Sequence, residues 1–267
     1  MATFTDRVVV VTGASEGIGR ALCLALAPQR PKLVLAARNE ERLRTLADEV
    51  KALGAEALVT PADVTDEAAC RSIVERAVDA FGAIDVLVNN AGGTMWTPFD
   101  EIQDLSMFER LMRLNLLSCV YCTHHALPHL KRSQGRIVGV ASVAGLTGVP
   151  CRTAYAASKH AMIGFFDSLR IELRDSGVSV TVVAPDFVLS EIHRRALGSD
   201  GKPLGKSPMQ EDRIMTAETC AALMVDAIER RQRMLITSGR GKLAHWLKLF
   251  SPGLVDRIAA KAIHDRK

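Results

Sequence analysis

Val8, Val9, Val10 and Val11 form an unbroken β-branched run near the start of the chain. A half-exposed strand would alternate polar and apolar positions. A run apolar at every position is that of a strand covered on both faces. Gly13 to Gly19 follows, then a helical period from Ala21 to Ala27 that Pro28 and Pro31 stop. Leu33–Ala37 is the next apolar run, and Asn39 caps a charged helix reaching about Ala52. The alternation continues with strands at Ala55–Thr60, Ile84–Val88, Arg136–Val140, Val178–Val183 and near Met234–Thr237. Helices are predicted at Asp66–Phe81, Leu105 to about Leu130, Thr153–Asp175 and Ala217–Arg230.

Strands that alternate with helices of this length predict an α/β fold, a doubly wound parallel sheet with helices on both faces. No internal repeat and no Pro/Gly/Ser linker divides the chain. Residues 1–240 are therefore expected to form one domain, which includes a substrate loop over 186–215. Residues 241–267 would be a C-terminal helical extension of that domain. Leu197 to Pro208 is the longest loop-like stretch and follows the sixth strand, where such sheets open onto a ligand crevice. It is expected to act as a lid.

Composition sets limits. With 267 residues, 48% of them hydrophobic, the chain can bury a large core, which argues against disorder. The net charge of +4 is uneven: from Arg230 to Lys267 ten Lys/Arg face two Asp, and the remainder carries −4. Within that basic end Leu243, Trp246, Leu247 and Phe250 recur at helical spacing, with Lys242, His245 and Lys248 off the stripe. Ser251-Pro-Gly253 interrupts, and Leu254, Val255, Ile258, Ala262 and Ile263 make a second stripe. Three roles stay open for these helices: packing on the body or a second subunit, a flap at a pocket mouth, or a membrane contact. A basic end without an aromatic platform argues against nucleic acid.

The six cysteines suggest no disulfide framework. Cys119 and Cys122 lie inside a predicted helix as small buried residues. A zinc site built from them with His124, His125 and His129 would crowd every ligand onto one helix, so no metal is expected. The start of the chain has no signal-like charged and apolar regions, and no apolar run reaches the roughly 18 residues of a membrane span. The expectation is a soluble, reduced, cytoplasmic protein, with membrane association open through its C-terminal helices.

Chemistry enters at the first turn. In Gly13-Ala-Ser-Glu-Gly-Ile-Gly19 glycines allow a sharp bend and close approach of a phosphate, while the following helix offers free N–H groups and a positive dipole end. Its position between first strand and first helix is the one a dinucleotide site needs. The second strand ends Ala36-Ala37-Arg38-Asn39, without the acidic residue that would bind ribose hydroxyls. Arg38 suits a 2′-phosphate instead, which favours NADP(H) over NAD(H). Glu16 would repel that phosphate and is expected to point to solvent. Tyr155 and Lys159 lie four apart on one helix face, where an ammonium can favour the phenolate and equip the tyrosine for proton exchange. Ser142 ends the preceding strand, at the same sheet edge.

Thr12 to Gly19, Asp63-Val64, Asn89-Asn-Ala-Gly92, Asn115, Ser142, Tyr155/Lys159 and Pro185 occur together in an order and spacing that resemble the short-chain dehydrogenase/reductase family. The resemblance implies a Rossmann fold and hydride transfer between NADP(H) and a carbonyl or secondary alcohol. It implies Tyr155 as general acid/base, Lys159 on the nicotinamide ribose, Ser142 on the carbonyl, and Asn115 as anchor of a proton-relaying water. Gly13, Ser15, Gly17, Ile18 and Gly19 would hold the phosphates, with Arg38 and Asn39 at the adenosine ribose. Asp63 and Val64 would meet the adenine, and Asn90, Ala91 and Gly92 would line the cofactor's path. Pro185, Val188 and Ser190 would contact the nicotinamide. Asp186 departs from the family's usual glycine, and Ser190 from its threonine. The basic amphipathic end implies a hydrophobic, lipid- or steroid-like substrate, and the long helices imply a homodimer or homotetramer. The alternatives are a non-catalytic NADP-binding regulator and a peripheral membrane protein on the same fold.

Overall fold

The computed structural model describes residues 3–208 and 214–264, with side chains of the last helix given through Lys261. Ala262, Ile263 and the charges at 265–267 therefore lie outside the described side chains. The strands are β1 (Val8–Thr12), β2 (Lys32–Ala37), β3 (Glu56–Pro61), β4 (Val86–Asn89), β5 (Arg136–Val140), β6 (Ser179–Ala184) and β7 (Met234–Ile236). They pair in parallel in the order β3-β2-β1-β4-β5-β6-β7. Val9 sits opposite Leu33 on one side and Val86 on the other, so β1 is central and its valines face both layers. The strand order reverses between β1 and β4, which places a crevice at their carboxyl ends.

Helices α1 (Gly17–Leu26), α2 (Glu40–Ala52) and α7 (Ala217–Glu229) cover one face through Leu22, Leu46 and Met224. Helices α3 (Glu67–Phe81), α5 (Ser118–Ser133) and α6 (Thr153–Glu172) cover the other through Ile73, Cys119, Cys122 and Phe166. Each large side chain removed from water in these layers contributes roughly 1.5–3 kcal/mol. A third, smaller apolar cluster of Met95, Met107, Leu111, Ala144, Ala154 and Tyr155 sits beside the crevice.

The helix expected from Leu105 to Leu130 is interrupted. It runs as α4 (Ser106–Met112), a single π turn over Arg113–Leu117, and α5. The π turn loosens the backbone ladder, and neighbouring side chains take the carbonyls: Ser118 Oγ donates to Leu114 O (2.5 Å) and Cys119 Sγ to Asn115 O (3.1 Å). The Leu197–Pro208 stretch is not a slack loop. Leu197 bridges Met95 and Pro203, and Gln103 N donates to Ser199 O at 2.9 Å, which fastens the segment to residues 94–104.

Candidate active site

A large cavity of about 1080 Å³ runs along the carboxyl edge of the sheet. Its walls combine the turn after β1, the ends of β2, β4 and β5, the start of α6 and the segment after β6.

The glycine-rich end of the cavity is built on Gly13 and Gly19. Gly13 has φ +66°, a left-handed conformation that L side chains avoid. A Cβ on Gly19 would lie 2.4 Å from Gly13 O and 2.5 Å from Asn90 Nδ2, so α1 approaches the turn closely only with glycine there. Asn90 Nδ2 donates to Thr12 O (3.0 Å) and Gly13 O (3.2 Å). Thr12 Oγ1 accepts from the N–H groups of Asn90 and Ala91 at 3.0 and 3.1 Å. Thr12 and Asn90 thus lock the turn to β4. Ser15, Ile18, Asp63, Val64, Gly92, Pro185, Val188 and Ser190 also line the cavity. Asp63 Oδ1 is engaged by Thr65, through its N–H at 3.0 Å and its hydroxyl at 2.9 Å.

Arg38 leaves the end of β2 exposed on the cavity wall and makes no hydrogen bond or ion pair with the described residues. Asn39 Oδ1 accepts from Arg42 N at 2.9 Å and caps α2, as its position in the sequence predicts. Glu16 does not point to solvent. Its carboxylate accepts from Arg42 Nη1 (2.6 Å) and from both terminal nitrogens of Arg195 (2.5 and 2.8 Å). Two nearby guanidiniums offset the charge that sequence position alone left unopposed.

Tyr155 and Lys159 stand one turn apart on α6 and are buried, at 7% and 4% exposure. Lys159 Nζ lies 5.9 Å from the Tyr155 ring centre and donates to Val140 O at 2.8 Å. Asn115 is fully buried within the π turn. Its Oδ1 accepts from Gly93 N (2.8 Å), and its Nδ2 donates to Gly93 O (3.1 Å) and Ser158 Oγ (2.8 Å). Ser158 Oγ in turn donates to Tyr155 O at 2.7 Å. Asn115 therefore ties the end of β4 to the helix that carries Tyr155, while its main-chain carbonyl is taken by Cys119. Ser142 accepts from Ala144 N at 3.1 Å, and its hydroxyl, 3.4 Å from Pro185 O, faces the cavity. A buried phenol and ammonium beside a half-buried hydroxyl, lining the same cavity as a glycine turn, suit proton exchange beside a bound dinucleotide.

The chain matches the profile described as short chain dehydrogenase over residues 7–199. It belongs to that family. "Dehydrogenase/reductase SDR family protein 7-like" of Dictyostelium discoideum is 33% identical over 97% of this chain and 83% of its own. The 11-beta-hydroxysteroid dehydrogenase of Pinus massoniana is 35% identical over 94% of this chain and 72% of its own. A crystal structure of a Burkholderia phymatum short chain dehydrogenase/reductase in complex with NAD is 27% identical, with TM-score 0.83 over 95% of this chain and 96% of that one. This protein is thus a short-chain dehydrogenase/reductase oxidoreductase, of a family that binds a nicotinamide cofactor.

The substrate side holds what is particular to this short-chain dehydrogenase. Asp186, at the family's glycine position, is sealed into the wall. It accepts from Phe187 N (2.9 Å), Ser238 Oγ (2.6 Å) and Arg240 Nη2 (2.9 Å) and Nε (2.5 Å). Burial pushes its carboxyl up, but the Arg240 and Ser238 hydrogen bonds outweigh that and hold it below its usual value. Ser238 also caps α8 (Gly239–Phe250), accepting from Gly241 N at 3.0 Å. Asp186 therefore links the loop after β6 to the C-terminal helices. Helix α9 (Pro252–His264) follows, and Val255, Ile258 and Ala259 close one side of the cavity. Of the predicted Leu243, Trp246, Leu247 and Phe250 stripe of α8, Leu243, Trp246 and Phe250 face outward at 65, 63 and 84% exposure, while Leu247 is half-buried.

Sequence reasoning did not single out Ser158, Arg42 or Arg152, and it read Thr12 only as part of the Thr12–Gly19 motif. Thr12 and Ser158 act through hydroxyls that no spacing advertises. Arg42 lies one turn beyond Arg38, and that spacing was the available signal. Arg152, one residue before α6, is 5% exposed and stacks between Trp96 (4.8 Å), Phe187 (5.1 Å) and Tyr155 (5.7 Å). Cys119 and Cys122 are buried, and burial pushes Cys119 up to about 11. Among the described residues no helix is long and apolar enough to cross a membrane.

Proposed function

We propose that the chain is an NADP(H)-dependent reductase or dehydrogenase acting on a hydrophobic carbonyl compound or its secondary alcohol. The observation that carries this is the buried Tyr155–Lys159 pair on the wall of a crevice whose far end is the glycine turn and Arg38. The cradle fits the cofactor, since glycine at positions 13 and 19 leaves the space that a Cβ would fill. Gly13, Ser15, Gly17, Ile18 and Gly19 would hold the pyrophosphate at the start of α1, and Arg38 and Asn39 the phosphorylated ribose. Asp63 and Val64 would take the adenine, Asn90, Ala91 and Gly92 the middle, and Pro185, Val188 and Ser190 the nicotinamide.

The bound cofactor supplies or accepts the hydride. Tyr155 gives its phenolic proton to the carbonyl oxygen in reduction and takes it back in oxidation. Ser142 donates a hydrogen bond to the same oxygen. Lys159 stabilises the phenolate and holds the ribose. Asn115 keeps β4 and α6 in register. Leu111, Leu114, Val149, Leu197, Val255 and Ile258 make the substrate wall largely apolar, which supports a lipid- or steroid-like carbonyl. The relatives named as 11-beta-hydroxysteroid dehydrogenases support the same class. A subunit contact through the long helices, giving a homodimer or homotetramer, is supported by Ile171 of α6 at 71% exposure.

Fluorescence titration with NADPH and NADH, on wild type and Arg38→Ala, tests the cofactor. Tighter NADPH binding that the variant loses is expected; equal or tighter NADH binding overturns the NADP assignment. Tight NADPH binding without turnover on broad carbonyl and alcohol panels would favour a regulator instead. A second reading, peripheral contact with an anionic membrane, rests on the outward α8 stripe beside the exposed Lys242.

A further inference from the structure

We infer that Arg195, from the segment after β6, is a determinant of dinucleotide choice: it offsets Glu16, which would otherwise oppose a 2′-phosphate. This rests on the NADP assignment above. Glu16 stands in the phosphate turn itself, between Ser15 and Gly17, and Arg38, Arg42, Glu16 and Arg195 all line the same cavity. Arg42 donates one hydrogen bond to Glu16, whereas Arg195 donates two, one to each carboxylate oxygen. Planar, two-point pairing of this kind is the strong form of a guanidinium–carboxylate contact.

Charge decides the consequence. With Arg38, Arg42 and Arg195 against Glu16, the cluster carries a formal +2. Without Arg195 it carries +1, and Glu16 is left to compete for Arg42, the guanidinium nearest to Arg38 along α2. A 2′-phosphate then meets a weaker field and a carboxylate held by one partner fewer. NADH lacks that phosphate and feels the change only through the pyrophosphate that both cofactors share, so the loss falls mainly on NADPH. The turn and the post-β6 segment also touch at a second point: a Cβ on Gly17 would lie 3.1 Å from Ser190 Cβ. Arg195 is thereby delivered to Glu16 from a part of the chain that otherwise borders the substrate half.

Dissociation constants for NADPH and NADH, measured by fluorescence titration at low salt, test this on wild type, R195A, E16Q and R195A/E16Q. At these partly exposed positions, R195A is expected to weaken NADPH about tenfold and NADH less than about twofold. R195A/E16Q is expected to recover NADPH binding to within about twofold of wild type, since removing the carboxylate removes what Arg195 offsets. Equal weakening of both cofactors in R195A, or no recovery in the double variant, overturns the inference and leaves Arg195 a fastener of its segment. A wild type without NADPH preference overturns the cofactor assignment and this inference together. A preference lost in Arg38→Ala but kept in R195A overturns this inference alone.

Discussion

Arg240 places two guanidinium nitrogens on the two carboxylate oxygens of Asp186, 54 residues away in sequence, and so joins the loop after β6 to the first turn of α8. The carboxylate is largely buried and Arg240 half-exposed, so removing Asp186 leaves Ser238 and Phe187 N–H without their acceptor. Hydrogen bonds to a charged group of this kind are worth roughly 1.5–3 kcal/mol. Asp186→Asn is expected to lower stability by about 1–3 kcal/mol, read from urea unfolding at pH 7. The pH dependence has a definite sign. A carboxyl held below its usual 3.8 adds stability that is present above that pH and is lost as pH falls through the lowered folded value. The gap between wild type and variant should be constant from pH 5 to 8 and narrow below about pH 4. A gap that widens in acid would show that Asp186 is protonated in the folded protein.

Tyr155 carries the proton in the proposed reaction, and its ring is buried in the small apolar cluster beside the crevice. Tyr155→Phe keeps the ring and removes only the hydroxyl. Turnover is expected to fall by about 10²–10⁴-fold, the usual scale for a positioned acid or base. NADPH binding should stay within about twofold, because the phenol acts on the substrate oxygen. Lys159→Met should impair both turnover and cofactor binding. Stopped-flow absorbance of NADPH and equilibrium titration separate the two effects. Undiminished turnover in Tyr155→Phe would remove the tyrosine from the mechanism.

Much of this arrangement was legible in the chain because local rules determine it. The all-valine run at 8–11 could only be a strand covered on both faces, and Asn39 could only cap the helix it precedes. Glycines at 13 and 19 marked the turn because no other residue fits there. What sequence could not show depends on distant partners. Glu16 is expected in solvent from sequence because a carboxylate there would repel the 2′-phosphate; its second guanidinium arrives from 179 residues away. Asp186 looked like an irregularity for the same reason, since Arg240 and Ser238 meet it only after β7 is laid down. The α8 stripe was visible as a period, but period alone does not say whether a face turns inward.

The fully buried Asn115 side chain binds the backbone of the half-buried Gly93 in both directions and Ser158 besides. Asn115→Ala leaves the Gly93 N–H and carbonyl without their side-chain partner and removes one of the two hydrogen bonds of Ser158 Oγ, and unmet groups of this kind cost roughly 1–3 kcal/mol each. The net loss on urea unfolding is expected at about 2–4 kcal/mol, since relaxation and entering water recover part of it. Because Gly93 follows the cofactor-lining Asn90–Gly92 segment, KM for NADPH should rise as well. Asn115→Asp keeps the acceptor for Gly93 N but not the donor, and should fall between the two. A stable Asn115→Ala protein with unchanged KM would deny this residue its place between β4 and α6.

Trp246 and Phe250 stand on the same outward face of α8, at 63 and 84% exposure, with Leu243 and Leu249 beside them. Lys242 and Arg257 add positive charge nearby, while Lys248 is turned inward to Leu146 O at 3.0 Å. Burying a large apolar side chain contributes roughly 1.5–3 kcal/mol, and each basic residue near an anionic surface about 1 kcal/mol. If α8 makes the peripheral contact proposed above, these contributions would drive shallow insertion into an anionic bilayer. The protein has two tryptophans, and Trp96 is stacked on Arg152, so a blue shift on adding vesicles reports Trp246. The shift is expected with phosphatidylserine-containing vesicles, weaker with neutral ones, and reduced by salt. Trp246→Ala/Phe250→Ser should leave the fold intact and abolish flotation. If wild type and this variant float equally, α8 makes no membrane contact, and its exposed stripe must be covered by something other than lipid.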